Sequence, residues 1–293
     1  MEYYDRVWVP GNSAFRSLQR AAVDKDRFEA LLAAGEGNLG ALRTFLPDSS
    51  GFASLVVYNR FGSRTGRPTV AAGPNILTLK REHRALLKSR WGSNGVVVLL
   101  DFKGLEARVI LYEAGHRCDN PDLYVEVNES LFQGKLTRDV VKEAVICEMY
   151  GQSKWALGEK LGVKGKALNL FIDRIRGHFK LEQLLGQIKK QFIRDGFITN
   201  RYGRRVTIDE PLDHVLINSY AQSTGADVVT LGFADIIDQL KGTRAIPIFF
   251  LVDAILLDVH KDDLERVKQI DSVAVDGYVQ KWPLKFEQVS SVE

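Results

Sequence analysis

The residues with the clearest chemical potential are two aspartates set in apolar runs. Asp101 follows VVVLL in the segment VVVLLDF (96–102), and Asp253 stands between FFLV and AILL. A carboxylate at such a place must be paired, hydrogen-bonded or metal-bound, because burying a bare charge is costly. If the two strands are neighbours in one antiparallel sheet, the carboxylates converge. They could then hold two Mg²⁺ about 3.5–4 Å apart, an apparatus for in-line phosphoryl displacement. One ion would lower the pKa of an attacking hydroxyl, and the other would neutralise the leaving group.

A second constellation lies in TRDVVKEAVICEMYG, where Arg138, Lys142, Ile146 and Tyr150 recur every four residues. On an α-helix that spacing lines them along one face. Two cations near the N-terminal end, where the helix dipole is also positive, suit a triphosphate. Tyr150, just before Gly151, can present its ring to a base. A third feature is charge: between Arg60 and Arg90 lie eight Lys or Arg (60, 64, 67, 80, 81, 84, 88 and 90) against the single acid Glu82. Their Gly-rich setting favours a surface that follows a phosphate backbone.

The elements that must position these groups follow from periodicity and punctuation. Apolar spacing predicts a helix over 13–34 with Gly35 as its stop, then a loop-like stretch after Pro47. A buried strand over 96–102 precedes a helix from Leu105 to Glu113. Helices are expected over 137–150, 152–161, 165–194 and 212–240, with a hairpin over 197–208 turning at Asn200 to Gly203. Two strands flank Asp253, a helix runs from about Lys261 to Gln269, and a last strand lies near Trp282 to Phe286. Strands separated by helical insertions indicate an α+β architecture.

Composition narrows the class. The chain has 293 residues, 45% hydrophobic and 26% charged, and a net charge of +3. That describes an ordinary globular protein with a mildly basic balance, compatible with a nucleic-acid partner. Cys118 and Cys147 are the only cysteines, which argues against a disulfide framework or a structural zinc site. The N-terminal residues do not read as a signal peptide, and the apolar stretch around Asp253 is too short to span a membrane. A cytoplasmic protein is the expectation.

Five segments in order, over roughly residues 58–288, resemble the family A DNA polymerases. DFKGLEARV (101–109) is similar to their first palm motif, and RDVVKEAVICEMYG (138–151) to the fingers pattern R-x3-K-x7-Y-G. LVDAILLDVHKDD (251–263) resembles the second palm motif, TGRPTVAAGPNI (65–76) the T-G-R…P-N-L segment, and NSYAQSTGAD (218–227) the N-A-P-x-Q-G-T-A-A-D helix. The resemblance implies a right-hand polymerase palm with helical fingers, a reduced or absent thumb and no exonuclease domain. Residues 1–60 would be a helical vestigial thumb or a partner-docking region, and 61–293 the palm, with fingers inserted at about 119–210.

The same resemblance implies site roles. Asp101 and Asp253 would bind the metals, two Mg²⁺ with Mn²⁺ as a substitute. Arg138 and Lys142 would hold the incoming dNTP, with Lys142 also donating a proton to pyrophosphate. Tyr150 and Ile146 would lie at the nucleotide, and Glu106 would close the space of a ribose 2′-hydroxyl. Arg67, Asn75, Arg84, Asn218 and Gln222 would contact primer-template DNA. A separate subunit could supply thumb, exonuclease or processivity functions. The chain departs from the family at Val252 (usually His), Ala254 (usually Glu), Ile146 (usually aromatic) and His214 (usually Arg). Two other readings stand beside DNA polymerase. One is a non-catalytic DNA-binding replisome subunit derived from a polymerase; the other is a single-subunit RNA polymerase-like nucleotidyltransferase, against which Glu106 argues.

Overall fold

The computed structural model describes residues 3–35, 37–151 and 154–290, arranged in two compact units. The first comprises residues 3–102 together with 226–290, and the second residues 103–225.

The first unit is built on an antiparallel sheet of five strands. After a separate hairpin of β1 (Val57–Asn59) and β2 (Thr69–Ala72), the sheet strands are β3 (Gly95–Phe102), β4 (Ala245–Phe250), β5 (Ala254–His260), β6 (Ser272–Val273) and β7 (Trp282–Ser290). Their spatial order is β6-β7-β3-β5-β4, so β3 lies at the centre. That position explains its composition: every residue of β3 but Asp101 is buried, and a strand covered on both faces reads as a continuous apolar run. One covering element is the C-terminal part of the helix Asp213–Gln239, whose Phe233 stacks on Phe250 at 4.3 Å and meets Phe102 edge-on. Gly232 permits this approach, since a Cβ there would lie 2.5 Å from the Phe102 ring. Tyr58 ties the hairpin to the sheet edge: its hydroxyl donates to the Phe250 carbonyl (2.6 Å) and accepts from the Phe250 N–H (3.0 Å).

The helix expected over 13–34 is two helices. A π-helical turn at Tyr4–Trp8 leads into α1 (Val9–Arg16), and α2 (Lys25–Ala34) begins after a short strand, Ala22–Val23, paired with Leu87–Lys88. The break is set by Asp24, whose carboxylate caps the Arg27 N–H at 3.0 Å and whose backbone is extended. Gly35 does end α2, with φ 68°.

The second unit is helical. It contains α3 (Leu105–Glu113), α4 (Leu123–Phe132), α5 (Arg138–Tyr150), α6 (Lys154–Leu161), α7 (Gly165–His178), α8 (Leu181–Asp195) and the first part of α9 (Asp213–Gln239). The expected hairpin is present as Ile198–Thr199 and Arg205–Val206, closed by a hydrogen bond from the Gly203 N–H to the Asn200 carbonyl. The single helix expected over 165–194 is split, because buried Phe179 and left-handed Lys180 (φ 45°) turn the chain between α7 and α8. Helix α4, which follows the Asp122 cap, was not foreseen from periodicity. For the helix expected over 152–161, residues 152 and 153 lie outside the described residues. No helix among the described residues is long and apolar enough to cross a membrane.

Arg108 organises the start of this unit. Its side chain is 0% exposed and donates to the carbonyls of Lys103 (3.0 Å), Asn120 (2.9 Å) and Pro121 (2.8 Å) and to the Tyr112 hydroxyl (3.2 Å). It fastens α3 to the segment that leads into α4. Arg108→Met should leave these buried acceptors unsatisfied and cost about 3 kcal/mol or more, read by urea unfolding. Arg108→Lys should not restore stability, since a single ammonium cannot span the fork of acceptors.

Candidate active site

The two aspartates meet because of backbone geometry at one end of the sheet. Strands β4 and β5 are joined by a tight turn in which the Leu251 N–H donates to the Ala254 carbonyl at 2.7 Å. The Phe102 N–H donates to the Asp253 carbonyl at 2.9 Å, which straps this turn to the end of β3. In the strand register Asp101 lies opposite Ala254 on one side and Lys285 on the other. Asp101 and Asp253 thus share a recess of about 220 Å³, with Arg81, Arg84, Lys285 and Glu287 in its wall.

Charge in this recess is only partly compensated. Burial pushes the Asp101 carboxyl up to about 6, and the Asp253 charge adds to that, while Lys285 and Arg81 oppose it. Asp253 has an exposed surface, yet the surrounding walls desolvate it enough to raise its pKa, against the charges of Arg67 and Arg84. Arg81 is already committed to an ion pair with Glu287, which also lies 3.5 Å from Lys285. Arg84 is half-buried, its pKa lowered by burial and by Arg81, and its Nε has no hydrogen-bond partner among the described residues. A third aspartate of the same segment, Asp258, is not part of this chemistry. It is 1% exposed and fully used by the Ser89 hydroxyl (2.6 Å) and the Arg90 backbone and side chain (3.0 and 3.1 Å).

The donor set fits hard divalent cations. Two repelling, desolvated carboxylates in one recess would be relieved by positive charge, and Mg²⁺ characteristically takes one or two carboxylates and completes its shell with water and phosphate oxygens. No cluster of three or more His, Cys, Asp or Glu side chains suited to a metal occurs among the described residues. The half-buried Val252 and buried Ala254 supply no further side-chain oxygen.

In the second unit, α5 is capped by Thr137 and ends at left-handed Gly151 (φ 65°). Val141, Ala144, Val145 and Glu148 are buried, with Glu148 paired to Arg176 at 2.8 Å. The opposite stripe is the expected one: Arg138 and Lys142 exposed, Ile146 and Tyr150 half-buried. Arg138 is already engaged by Asp122 and Asp139 and lies 5.4 Å over the Tyr124 ring. Lys142 has no ion-pair partner among the described residues. Burial pushes Tyr124 up to about 12, with Arg138 lowering it and Asp122 and Glu106 raising it, so Glu106 belongs to the same electrostatic cluster. Gln222 donates to Asn218 at 2.6 Å, one turn apart on α9.

Asn75 does not line the recess; its backbone N–H donates to Thr44 Oγ1 at 2.7 Å. Lys285 and Glu287 were missed from sequence, and Arg81 was read there only as one of the basic run between Arg60 and Arg90. The alternation in Lys285-Phe286-Glu287 marked a strand with a polar face, and only the pairing register sets that face beside Asp101.

These shifts give a pH-dependent prediction. An ordinary Asp ionises near about 4, so a folded-state value raised to about 6 favours the fold at low pH and withdraws that advantage as pH rises through about 6. Without divalent cations, Asp101→Asn should therefore melt higher than the native chain at about pH 8. The gap should close as pH falls toward about 4. Added Mg²⁺ should raise the native Tm and leave that of Asp101→Asn nearly unmoved.

No protein-family profile matches the chain. Among curated proteins it is 22% identical over 259 residues to a thermostable DNA polymerase I of Thermus thermophilus, covering 78% of this chain and 30% of the relative. It is 22% identical over 241 residues to DNA polymerase I of Chloroflexus aurantiacus, covering 73% and 26%. The chain thus spans less than a third of these relatives' length. Among solved structures, the POL domain of Pol1 from M. smegmatis, in complex with DNA primer-template and dNTP, superposes with a TM-score of 0.64. The match has 18% identity over 85% of this chain and 49% of that one. In sequence and in fold, the chain resembles the palm-and-fingers region of the family A DNA polymerases.

Proposed function

We propose that the chain adds dNTPs to the 3′ end of a primer paired to a DNA template, by phosphoryl transfer assisted by two Mg²⁺. The observation that carries this reading is the strapped turn that holds Asp253 beside Asp101 in a desolvated recess, within a polymerase-like fold. When bound, the ions would acidify the primer 3′-hydroxyl and offset charge on the departing pyrophosphate, with Mn²⁺ as a substitute.

The chain's own residues do the rest. Asp101 and Asp253 hold fixed positions because strand pairing and the turn hold their backbones. Lys142 receives the triphosphate and donates a proton to pyrophosphate, and Arg138 gives up part of its pairing with Asp122 to join it. Tyr150 and Ile146 border the nucleotide, and Glu106 excludes a 2′-hydroxyl. Arg84 and Arg67 bear on the primer backbone, and Asn75, Asn218 and Gln222 on nearby DNA. A separate subunit, if one is used, supplies the remaining polymerase functions. The cytosol is the expected setting.

The absence of a second carboxylate at Ala254 and of His at position 252 favours one other reading, a DNA-binding subunit without catalysis. Primer extension with Mg²⁺ and four dNTPs separates the two. Asp101→Ala and Asp253→Ala should each lower extension at least about 10³-fold, and Lys142→Ala about 10²-fold. Primer-template binding should survive all three substitutions. A native chain that binds DNA and never extends it, alone or with candidate partner proteins added, would establish the non-catalytic reading.

A further inference from the structure

The tip of the β1–β2 hairpin carries an aromatic ring that the roles above leave unused. Phe61 is 66% exposed. One face of its ring stacks on Trp8 at 5.0 Å and 24°, and the Arg60 guanidinium lies 4.4 Å from the centre of the Trp8 ring. Arg60 is itself buried and fixed by the carbonyl of Trp8 (3.1 Å) and Oδ1 of Asn12 (3.2 Å). Guanidinium, indole and phenyl thus form one contiguous cluster, anchored in the fold at buried Arg60 and exposed at Phe61.

Exposed phenyl rings are normally a liability, and a ring locked in place has little entropy left to lose on binding. The surroundings indicate the occupant. From Ser49 to Arg81 the sequence contains no acidic residue, while Arg64 and Arg67 follow Phe61 within the same hairpin tip and Arg64 is exposed. An apolar plate set among cations matches a nucleic acid, whose bases have π-faces and whose backbone is anionic.

We propose that Phe61 is a preformed stacking platform for an unpaired nucleobase, with Arg64 acting on the neighbouring phosphate. The inference rests on the nucleic-acid partner proposed above and deepens it. Base–aromatic stacking tolerates any sequence, so the platform would hold a strand by its bases without reading them.

The test compares binding of a fluorescein-labelled single-stranded oligodeoxynucleotide with that of its abasic counterpart of equal length, by anisotropy at fixed salt, without metal or dNTP. The native chain should prefer the base-bearing strand. Phe61→Ala should weaken that strand about 5- to 100-fold and leave the abasic one unchanged. Phe61→Tyr should retain the preference, while Arg64→Gln should weaken both strands alike and flatten the salt dependence. A native chain indifferent to the bases, or a Phe61→Ala variant that weakens both strands equally or neither, overturns the proposal. Thermal melts of the variants verify folding, which an exposed ring should barely affect. Phe61-dependent binding in a chain that never extends a primer, with or without candidate partner proteins, would defeat the polymerase reading alone. Extension by a chain whose binding ignores Phe61 would defeat this inference alone.

Discussion

Two carboxylates share one desolvated recess, where the charge of Asp253 raises the pKa of Asp101, and backbone hydrogen bonds of the first unit set the two residues side by side. Asp101 is fixed by pairing on both sides of β3, and Asp253 by a turn whose carbonyl accepts the Phe102 N–H. Backbone hydrogen bonds position both groups, so neither depends on a flexible side chain to reach the other. The buried strands and the Phe102–Phe233–Phe250 cluster then act as the rigid support for that turn. Desolvation of both carboxyls, with the Asp253 charge adding to it at Asp101, destabilises the fold at neutral pH, and such a cost is typical of sites shaped for a ligand.

The cations around the recess offset that cost unequally. Glu287 draws Arg81 and Lys285 into its own pairing, which limits what they contribute to Asp101. Arg84 remains half-desolvated with an unmet Nε donor, and it contributes to holding Asp253 ionised. Two acids and one guanidinium with an unmet donor give the recess groups that suit both a cation and an anion. Phosphoryl transfer requires both kinds of ligand at once.

The second unit treats the two cations of the α5 stripe differently. Arg138 is pre-engaged by Asp122 and by the Tyr124 ring, so it is oriented and also restrained. Lys142, one helical turn on, is exposed with no ion-pair partner among the described residues. The buried face of α5, with the Glu148–Arg176 pair, keeps the stripe turned outward.

The sequence by itself determined the local facts. The VVVLLDF run reads as a buried strand with an acid near its end. The four-residue recurrence from Arg138 to Tyr150 shares one face on an α-helix, and both readings rest on fixed backbone periods. It also determined the cap at Gly35 and the turn at Gly203, where backbone chemistry is local. Tertiary structure decided what no period encodes. Lys285 stands opposite Asp101 by strand register, Asp258 is separated from Asp253 by its pairing with Arg90, and Phe179 breaks a helix in order to be buried. Likewise, Arg108 in the first palm-like motif proved to be a buried strap, and Phe61 an exposed plate supported by Trp8. Each of these depends on residues far apart in the chain, and sequence patterns within one window carry no information about which distant partner will satisfy a charge or cover a ring.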